Sequence, residues 1–289
     1  MKINIVDKKY GNHSILKNIS FEMRKGEIIG LIGKNGVGKS TLMKIISRLD
    51  GNYEGDIIYD GSICYSIEAP KLYANKSAYW HLKYFSNIFG NSFNIDDYEK
   101  LFKDIELLEV LNKKVKKYSL GMKQKLGVCI SLINNPEYII LDEPTNGMDV
   151  DTSIAFLREV QSIAKSKEIG VLISSHKLED IELICDKILL LNDGMIDSLK
   201  STDFKNVIEH RLHFNNHKDL DLFMIKQDLG IVTSAEDNML VLESNCTYTE
   251  LIKFLGSLSI QLNDYSTNKK SLRNIYFDKF DMEGKHETK

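Results

Sequence analysis

No stretch of this 289-residue chain approaches the ~18 consecutive apolar residues that a membrane-spanning helix needs. The longest apolar runs, such as Ile28-Ile29-Gly30-Leu31-Ile32 and Ile188 to Leu191, are short. The N-terminal Met1-Lys2-Ile3-Asn4 lacks a signal-peptide core, so any work at a membrane is expected to pass through another chain. Cysteine is scarce. Cys64, Cys129, Cys185 and Cys246 lie far apart, without CxxC or Cys/His spacing, which argues against a zinc site and a disulfide framework. Three of them sit in apolar runs, where a thiol packs as a small hydrophobe, and a reducing cytosol fits that usage. No charge of one sign dominates: the formal net charge is −3, so no basic field points to nucleic acid.

Charged residues are 27% and hydrophobic ones 43%, ordinary for a globular protein, and the length suits one large α/β domain with a small appendage. Ile3 and Ile5, then Ile19, Phe21 and Met23, alternate with polar neighbours as strands do. Glu27 to Ile32 is nearly all apolar, the pattern of a strand buried on both faces. Leu42, Ile45, Ile46 and Leu49 then recur at helical spacing. Residues 77–134 read as mostly helical, with stripes at Ala78, Leu82, Phe85 and Phe89, at Tyr98, Leu101, Phe102, Ile105 and Leu108, and at Met122, Leu126, Cys129, Ile130 and Ile133. Short buried strands return at Tyr138–Leu141, Val171–Ser174 and Ile188–Leu191, with helical stripes between them at Leu157, Val160 and Ala164 and at Leu178, Ile181 and Cys185. Strands alternating with helices predict a mainly parallel sheet covered on both faces.

The pattern changes after residue 203. Strands are expected at Arg211–Phe214, Ile231–Ser234, Met239–Glu243 and Ile260–Tyr265, and helices at Asp219–Asp228 and Thr249–Leu258. That β-α-β-β-α-β order is the ferredoxin-like split motif, followed here by a terminal helix at Ser271–Phe280. The expected organisation is therefore a domain over 1–203, with a helical subdomain at about 72–135, and an α+β accessory domain over 204–289.

Gly33-Lys34-Asn35-Gly36-Val37-Gly38-Lys39-Ser40, with Thr41 after it, matches a P-loop that follows a buried strand and opens an amphipathic helix. Its glycines let backbone N–H groups curl toward phosphate oxygens, and the helix N-terminus adds positive potential. Lys39 brings a full charge to the β/γ phosphates, and the Ser40 hydroxyl is a magnesium ligand. Tyr138 to Leu141 ends in Asp142-Glu143. Asp142 is placed to hold magnesium opposite the P-loop, and Glu143 to orient or deprotonate water near a γ-phosphate. Mg2+ and a nucleoside triphosphate are thus expected; the P-loop alone does not choose among kinases, GTPases and ATPases, and the acid pair narrows the choice.

With these motifs in order, the sequence resembles an ABC ATPase over about residues 1–200. The family signature near Leu-Ser-Gly-Gly-Gln has a counterpart in Tyr118-Ser119-Leu120-Gly121-Met122-Lys123-Gln124, which keeps Ser119 and Gly121. The resemblance implies that the nucleotide is ATP and that this site reaches the γ-phosphate held by an opposite subunit. Asn146-Gly147-Met148-Asp149 is similar to the family's D-loop. His176 matches the switch histidine on the γ-phosphate, and Tyr10, in Lys9-Tyr10-Gly11, matches the aromatic that stacks on adenine. A loop after the strand near Ser62–Ile67 carries glutamine in most of the family; here Glu68 stands there, an expected magnesium-site residue.

Glu-x-Pro at this loop and Ser-Leu-Gly-Met in the signature resemble the ATPases of bacitracin-type and lantibiotic-immunity exporters. The appendage is similar to that of drug-resistance exporter ATPases. The resemblance implies a homodimer or a pair of related ATPases, and a multi-span membrane permease as partner at the cytoplasmic face of the membrane. The alternative is an ABC ATPase acting on ribosomes or nucleic acid. Against it, residues 205–289 hold 11 Lys/Arg and 13 Asp/Glu, the wrong sign for a nucleic-acid clamp, and no sustained heptads occur. A P-loop kinase would not account for Ser119-Leu120-Gly121. Lys113, Lys114, Lys116, Lys117, Lys123 and Lys125 crowd the signature, either as a solvated face or as a field that draws nucleotide to an interface.

Overall fold

The computed structural model describes residues 1–66, 70–90, 93–133, 135–201, 207–269 and 271–281. The chain divides into two compact units, Met1–Leu199 and Lys200–Lys289.

The first unit opens with β1 (Lys2–Tyr10), β2 (His13–Glu22) and β3 (Ile28–Ile32), then α1 (Lys39–Ile46), β4 (Glu54–Ile58) and β5 (Ile63–Ser66). Helices α2 (Ala78–Ile88), α3 (Glu99–Asp104) and α4 (Leu120–Leu132) follow. The chain returns through β6 (Tyr138–Leu141), α5 (Val150–Ser166), β7 (Gly170–Ser174), α6 (Leu178–Ile184), β8 (Lys187–Asn192) and β9 (Met195–Lys200). β1 sits between β2 and β4 in an antiparallel sheet. The larger sheet runs β5-β6-β7-β3-β8-β9, with parallel pairing from β5 through β8. Every residue of β3, β6 and β7 is buried, as their nearly continuous apolar composition predicts for strands covered on both faces. One core joins Ile3, Ile5, Leu16 and Ile19 to Leu42, Ile45 and Ile46 of α1 and to Leu31, Ile140, Leu172 and Leu189 of the larger sheet. Each such side chain contributes about 1.5–3 kcal/mol on full burial.

Two expected helical stripes, and the placing of Lys125 on a basic face, are corrected. α1 stops at Ile46 because Arg48 turns left-handed (φ 59°) and the Leu49 N–H closes back on the Lys44 carbonyl (2.8 Å), so Leu49 is 66% exposed. α2 buries His81 and Ser86 beside Ala78 and Leu82, while Phe89 lies past its end and is exposed. A polar residue fits there because His81 is fully satisfied: its Nε2 accepts from the Tyr73 N–H (2.8 Å), leaving Nδ1 to donate to the Ser77 carbonyl (2.7 Å). Burial also holds the His81 pKa below the usual histidine value. α4 is buried on nearly all sides. Lys125 is therefore no part of a solvated face: it is 7% exposed, with Glu106 at 3.7 Å and Glu159 at 4.0 Å. Lys113, Lys114, Lys116 and Lys117 are exposed.

The second unit runs β10 (Ile208–Phe214), α7 (His217–Lys226), β11 (Gly230–Glu236), β12 (Met239–Ser244), α8 (Tyr248–Ser257), β13 (Leu262–Lys269) and α9 (Leu272–Asp281). Its sheet is antiparallel in the order β11-β12-β10-β13, the ferredoxin-like arrangement. Leu212 and Phe214 pack with Leu220, Phe223, Leu251 and Leu255 of the two helices. Asn216 caps α7, and a Thr247/Glu250 capping box starts α8, so both helices begin on residues suited to that place. Among the described residues no helix is long and apolar enough to cross a membrane.

Candidate functional site

The turn from β3 into α1 builds a glycine-lined cradle. Gly36 and Gly38 hold φ of 78° and 113°, where a side chain is strained, and a Cβ on Gly38 would stand 2.9 Å from Ile15 Cγ2. Gly38 is also the N-cap of α1. It offers no side-chain cap, and the first turn has no acidic residue, so the helix N–H groups remain for an outside anion. Lys39 is buried, and its Nζ donates to the carbonyls of Gly33 (2.8 Å) and Lys34 (3.2 Å). Burial pulls its pKa below the usual lysine value, against the opposing pull of Glu143 and Asp142. Val37 sends its side chain to the core, so only its backbone serves the cradle.

Opposite lies the end of β6. Asp142 accepts hydrogen bonds from Ser174 Oγ (2.8 Å) and Tyr65 OH (3.0 Å), one on each carboxylate oxygen. Ser174 Oγ also accepts from the Glu143 N–H (2.8 Å), so one hydroxyl fixes both acids. Glu143 itself takes φ 50°, a strained conformation for a side chain of this size. Its Oε2 accepts from the His176 N–H (3.2 Å). Oε1 stands 3.2 Å from His176 Nε2 but makes no hydrogen bond there. Burial raises the Glu143 pKa, opposed by His176 and Lys39, which suits a group that must accept a proton. Burial likewise pushes up the Tyr65 pKa and keeps the phenol neutral as the donor to Asp142.

These elements enclose a cleft of about 410 Å³ lined by Asn35, Gly36, Gly38, Lys39, Ser40, Thr41, Asp142, Glu143 and His176. The sequence singles out all nine; it does not single out Ser174 and Tyr65. Ser174, last residue of a buried strand two positions before His176, carries the one local signal. Nothing local marks Tyr65. Thr145, two residues after Glu143, and Ser175, one before His176, both donate to the buried Asp180 (2.7 and 3.3 Å) and tie the Glu143 and His176 loops together.

The remaining expected residues that the structure describes do not line this cleft. Tyr10 ends β1 and is 54% exposed. Ser119 is the N-cap of α4, accepting from the Met122 N–H (3.2 Å), and the helix starts at Leu120. Asp149 is the N-cap of α5, its carboxyl held below the usual range by the Thr152 N–H and hydroxyl. Gln124 Nε2 donates to the Asn146 carbonyl (3.1 Å), and Gly121 faces Thr152 and Met148, so the start of α4 packs against the loop that leads into α5. Glu68 lies outside the described residues. The Ser40 hydroxyl and the Asp142 carboxylate offer hard oxygen donors on the cleft. Among the described residues no group of three or more His, Cys, Asp or Glu could hold a metal alone. Such a donor set fits Mg2+, which keeps waters and binds through one or two protein oxygens and a substrate's phosphates.

The family model for ABC transporters matches residues 16–146, from β2 through both acid residues. The lantibiotic transport ATP-binding protein SrtF of Streptococcus pyogenes is 40% identical over 225 residues, covering 75% of this chain and 96% of its own length. The bacitracin transport ATP-binding protein BcrA of Bacillus licheniformis is 30% identical over 259 residues, covering 80% and 83%. A solved ATP-binding subunit of an ABC transporter superposes with a TM-score of 0.62 at 28% identity, over 71% of this chain and 91% of that one. With a phosphate cradle facing a buried glutamate at its centre, this chain belongs to the ABC transporter family as an ATP-binding, ATP-hydrolysing subunit.

Proposed function

We propose that the chain powers an exporter of a peptide antibiotic or similar amphipathic compound, working at the cytoplasmic face of a membrane beside a multi-span permease. The observation that carries the ATPase chemistry is the cleft between the α1 N-terminus and Glu143. The names of SrtF and BcrA support the cargo class. In the proposed reaction the triphosphate lies along Gly33–Thr41, with Lys39 on the β/γ phosphates. Glu143 takes a proton from a water whose oxygen attacks the γ-phosphorus, and the bond to the β–γ bridging oxygen breaks. His176 steadies the γ-phosphate and the glutamate. Mg2+, when bound at Ser40 and Asp142, neutralises phosphate charge; Glu68 would join this site, tuning magnesium dependence and coupling more than ATP affinity.

Two copies, or this chain and a related ATPase, sandwich two nucleotides. Ser119, Gly121 and Asp149 serve the partner's pocket, which accounts for their place outside the chain's own cleft. The domain over 204–289 regulates or pairs subunits and carries no chemistry. Purification from cells tests the whole reading. Co-purification with a multi-span membrane protein supports it; co-sedimentation with ribosomes without such a protein overturns it.

A further inference from the structure

The inward positions of β1 are Ile3, Ile5 and then a lysine. Pairing with β4 shifts between Ile5 and Asp7, and pairing with β2 shifts between Lys8 and Lys9. These irregularities leave Lys8 only 1% exposed and Tyr10, two residues on, 54% exposed. Lys8 Nζ pairs with Asp50 (2.8 Å), donates to the Asn52 carbonyl (2.7 Å) and lies over the Tyr10 ring, 4.7 Å from its centroid. Lys8 Nζ lies 2.8 Å from both carboxylate oxygens of Asp50, and Oδ2 also accepts from Tyr10 OH (3.2 Å). One carboxylate therefore holds both the lysine and the tyrosine. Lys8 covers one face of the ring by a cation–π contact, Asp50 anchors its hydroxyl, and the ring keeps an open face.

Asp50 is itself tied to α1. The N–H groups of Leu49 (2.8 Å) and Asp50 (3.2 Å) both donate to the Lys44 carbonyl, and α1 begins at Lys39. The pair thus links the strand that ends in Tyr10 to the helix that opens at the phosphate cradle. Stability alone is a weak reason for such a pair, because replacing a buried ion pair by apolar residues often costs nothing.

We propose that Lys8 and Asp50 are positioning residues that hold Tyr10 as a platform for the nucleotide base at a set spacing from the phosphate cradle, so that the base adds to binding. This rests on the reading of Tyr10 as the base-stacking residue. The test is calorimetric binding of ATP and of inorganic tripolyphosphate, which has no base, to the full chain and to Tyr10→Ala, Asp50→Asn and Lys8→Met. All three variants weaken ATP by about fivefold, the scale of one ring-stacking contact, and leave tripolyphosphate within about twofold of wild type. In hydrolysis they raise KM and leave kcat unchanged. Asp50→Asn combined with Tyr10→Ala is no weaker than Tyr10→Ala alone, because both act through one contact. Equal loss for tripolyphosphate and ATP overturns the inference, since the cradle itself would then be damaged. If Tyr10→Ala weakens ATP while Asp50→Asn and Lys8→Met bind like wild type, the positioning role alone falls. If Tyr10→Ala binds ATP like wild type, the base-stacking reading falls and this inference with it. Should Lys8→Met fail to fold, Asp50→Asn decides, because the amide keeps the shape of the acid.

Discussion

The two units handle their buried polar groups differently. In the second unit His210 is fully buried, yet its Nδ1 meets Tyr265 OH (2.9 Å) and its Nε2 faces Cys246 Sγ (3.6 Å). Ser244 Oγ donates to the same sulfur (2.8 Å) and accepts from the Cys246 N–H (3.1 Å). That network closes on itself. Among its described residues the left-handed ones lie at turns, Asp237 between β11 and β12 and Ser259 after α8. The first unit places a strained glutamate, a desolvated lysine and a carboxylate oxygen without a hydrogen bond around one cleft. A buried polar group that is satisfied belongs to the architecture. One left incomplete toward a cavity waits for a ligand, and local rules are broken where chemistry needs it.

The sharpest break of that contrast is Glu143→Gln. The amide keeps size and much of the hydrogen bonding but cannot take the proton. Hydrolysis should fall roughly 10²–10⁴-fold while ATP affinity stays within a few fold, and sizing in ATP and magnesium should show accumulated dimers. A mutant that remains monomeric there removes the case for the sandwich.

Lys39→Ala is the next largest. The thermal midpoint without nucleotide should stay near wild type, since the change removes a desolvated charge. The rise on adding ATP, worth about 2.7 kcal/mol at a hundredfold excess over Kd, should vanish. An unchanged ATP-induced rise would show that Lys39 does not hold phosphate.

A smaller effect belongs to His210. Burial lowers its folded pKa below the unfolded histidine value of 6.5. The unfolded state then binds the proton more readily, so this contribution is present above pH 6.5 and is lost as pH falls through the folded pKa. Hydrogen exchange, corrected for intrinsic rates, should show β10 and β13 losing protection between about pH 7 and pH 5, and His210→Gln should flatten that dependence. Equal pH dependence in the variant would place the titrating group elsewhere. The smallest expected effect is that of ending the chain at Thr202: ATP affinity should stay within a few fold. A truncated chain that folds and binds no nucleotide would put part of the site in the second unit.

Motifs that lie in consecutive residues are legible in the sequence alone. The P-loop and the Asp142-Glu143 pair depend on local backbone chemistry, and the apolar patterns around them mark the strands and the helix that present them. The second unit is legible for a related reason: its alternating strands and capped helices follow ordinary propensities, and the expected order of elements is the order found. Stripes are less dependable at helix ends. Leu49 and Phe89 fit the helical period, but the helices stop ahead of them, and His81 takes a buried place through hydrogen bonds that periodicity ignores. Lys125 follows a basic run by eight residues but faces inward, toward Glu159.

What the sequence by itself determined was which chemical groups exist and in what local geometry: a glycine cradle opening a helix, an acid pair ending a buried strand, a serine able to cap α4. What only the tertiary structure decided was which distant groups hold those in place. Ser174 joins Asp142 to Glu143 across 32 and 31 residues, Tyr65 reaches Asp142 across 77, and Asp50 reaches Tyr10 across 40. Such contacts leave no periodic trace along the chain. They arise from parallel register, which sets the end of β5 and the end of β7 on either side of β6, and from bulges that turn one lysine of β1 inward.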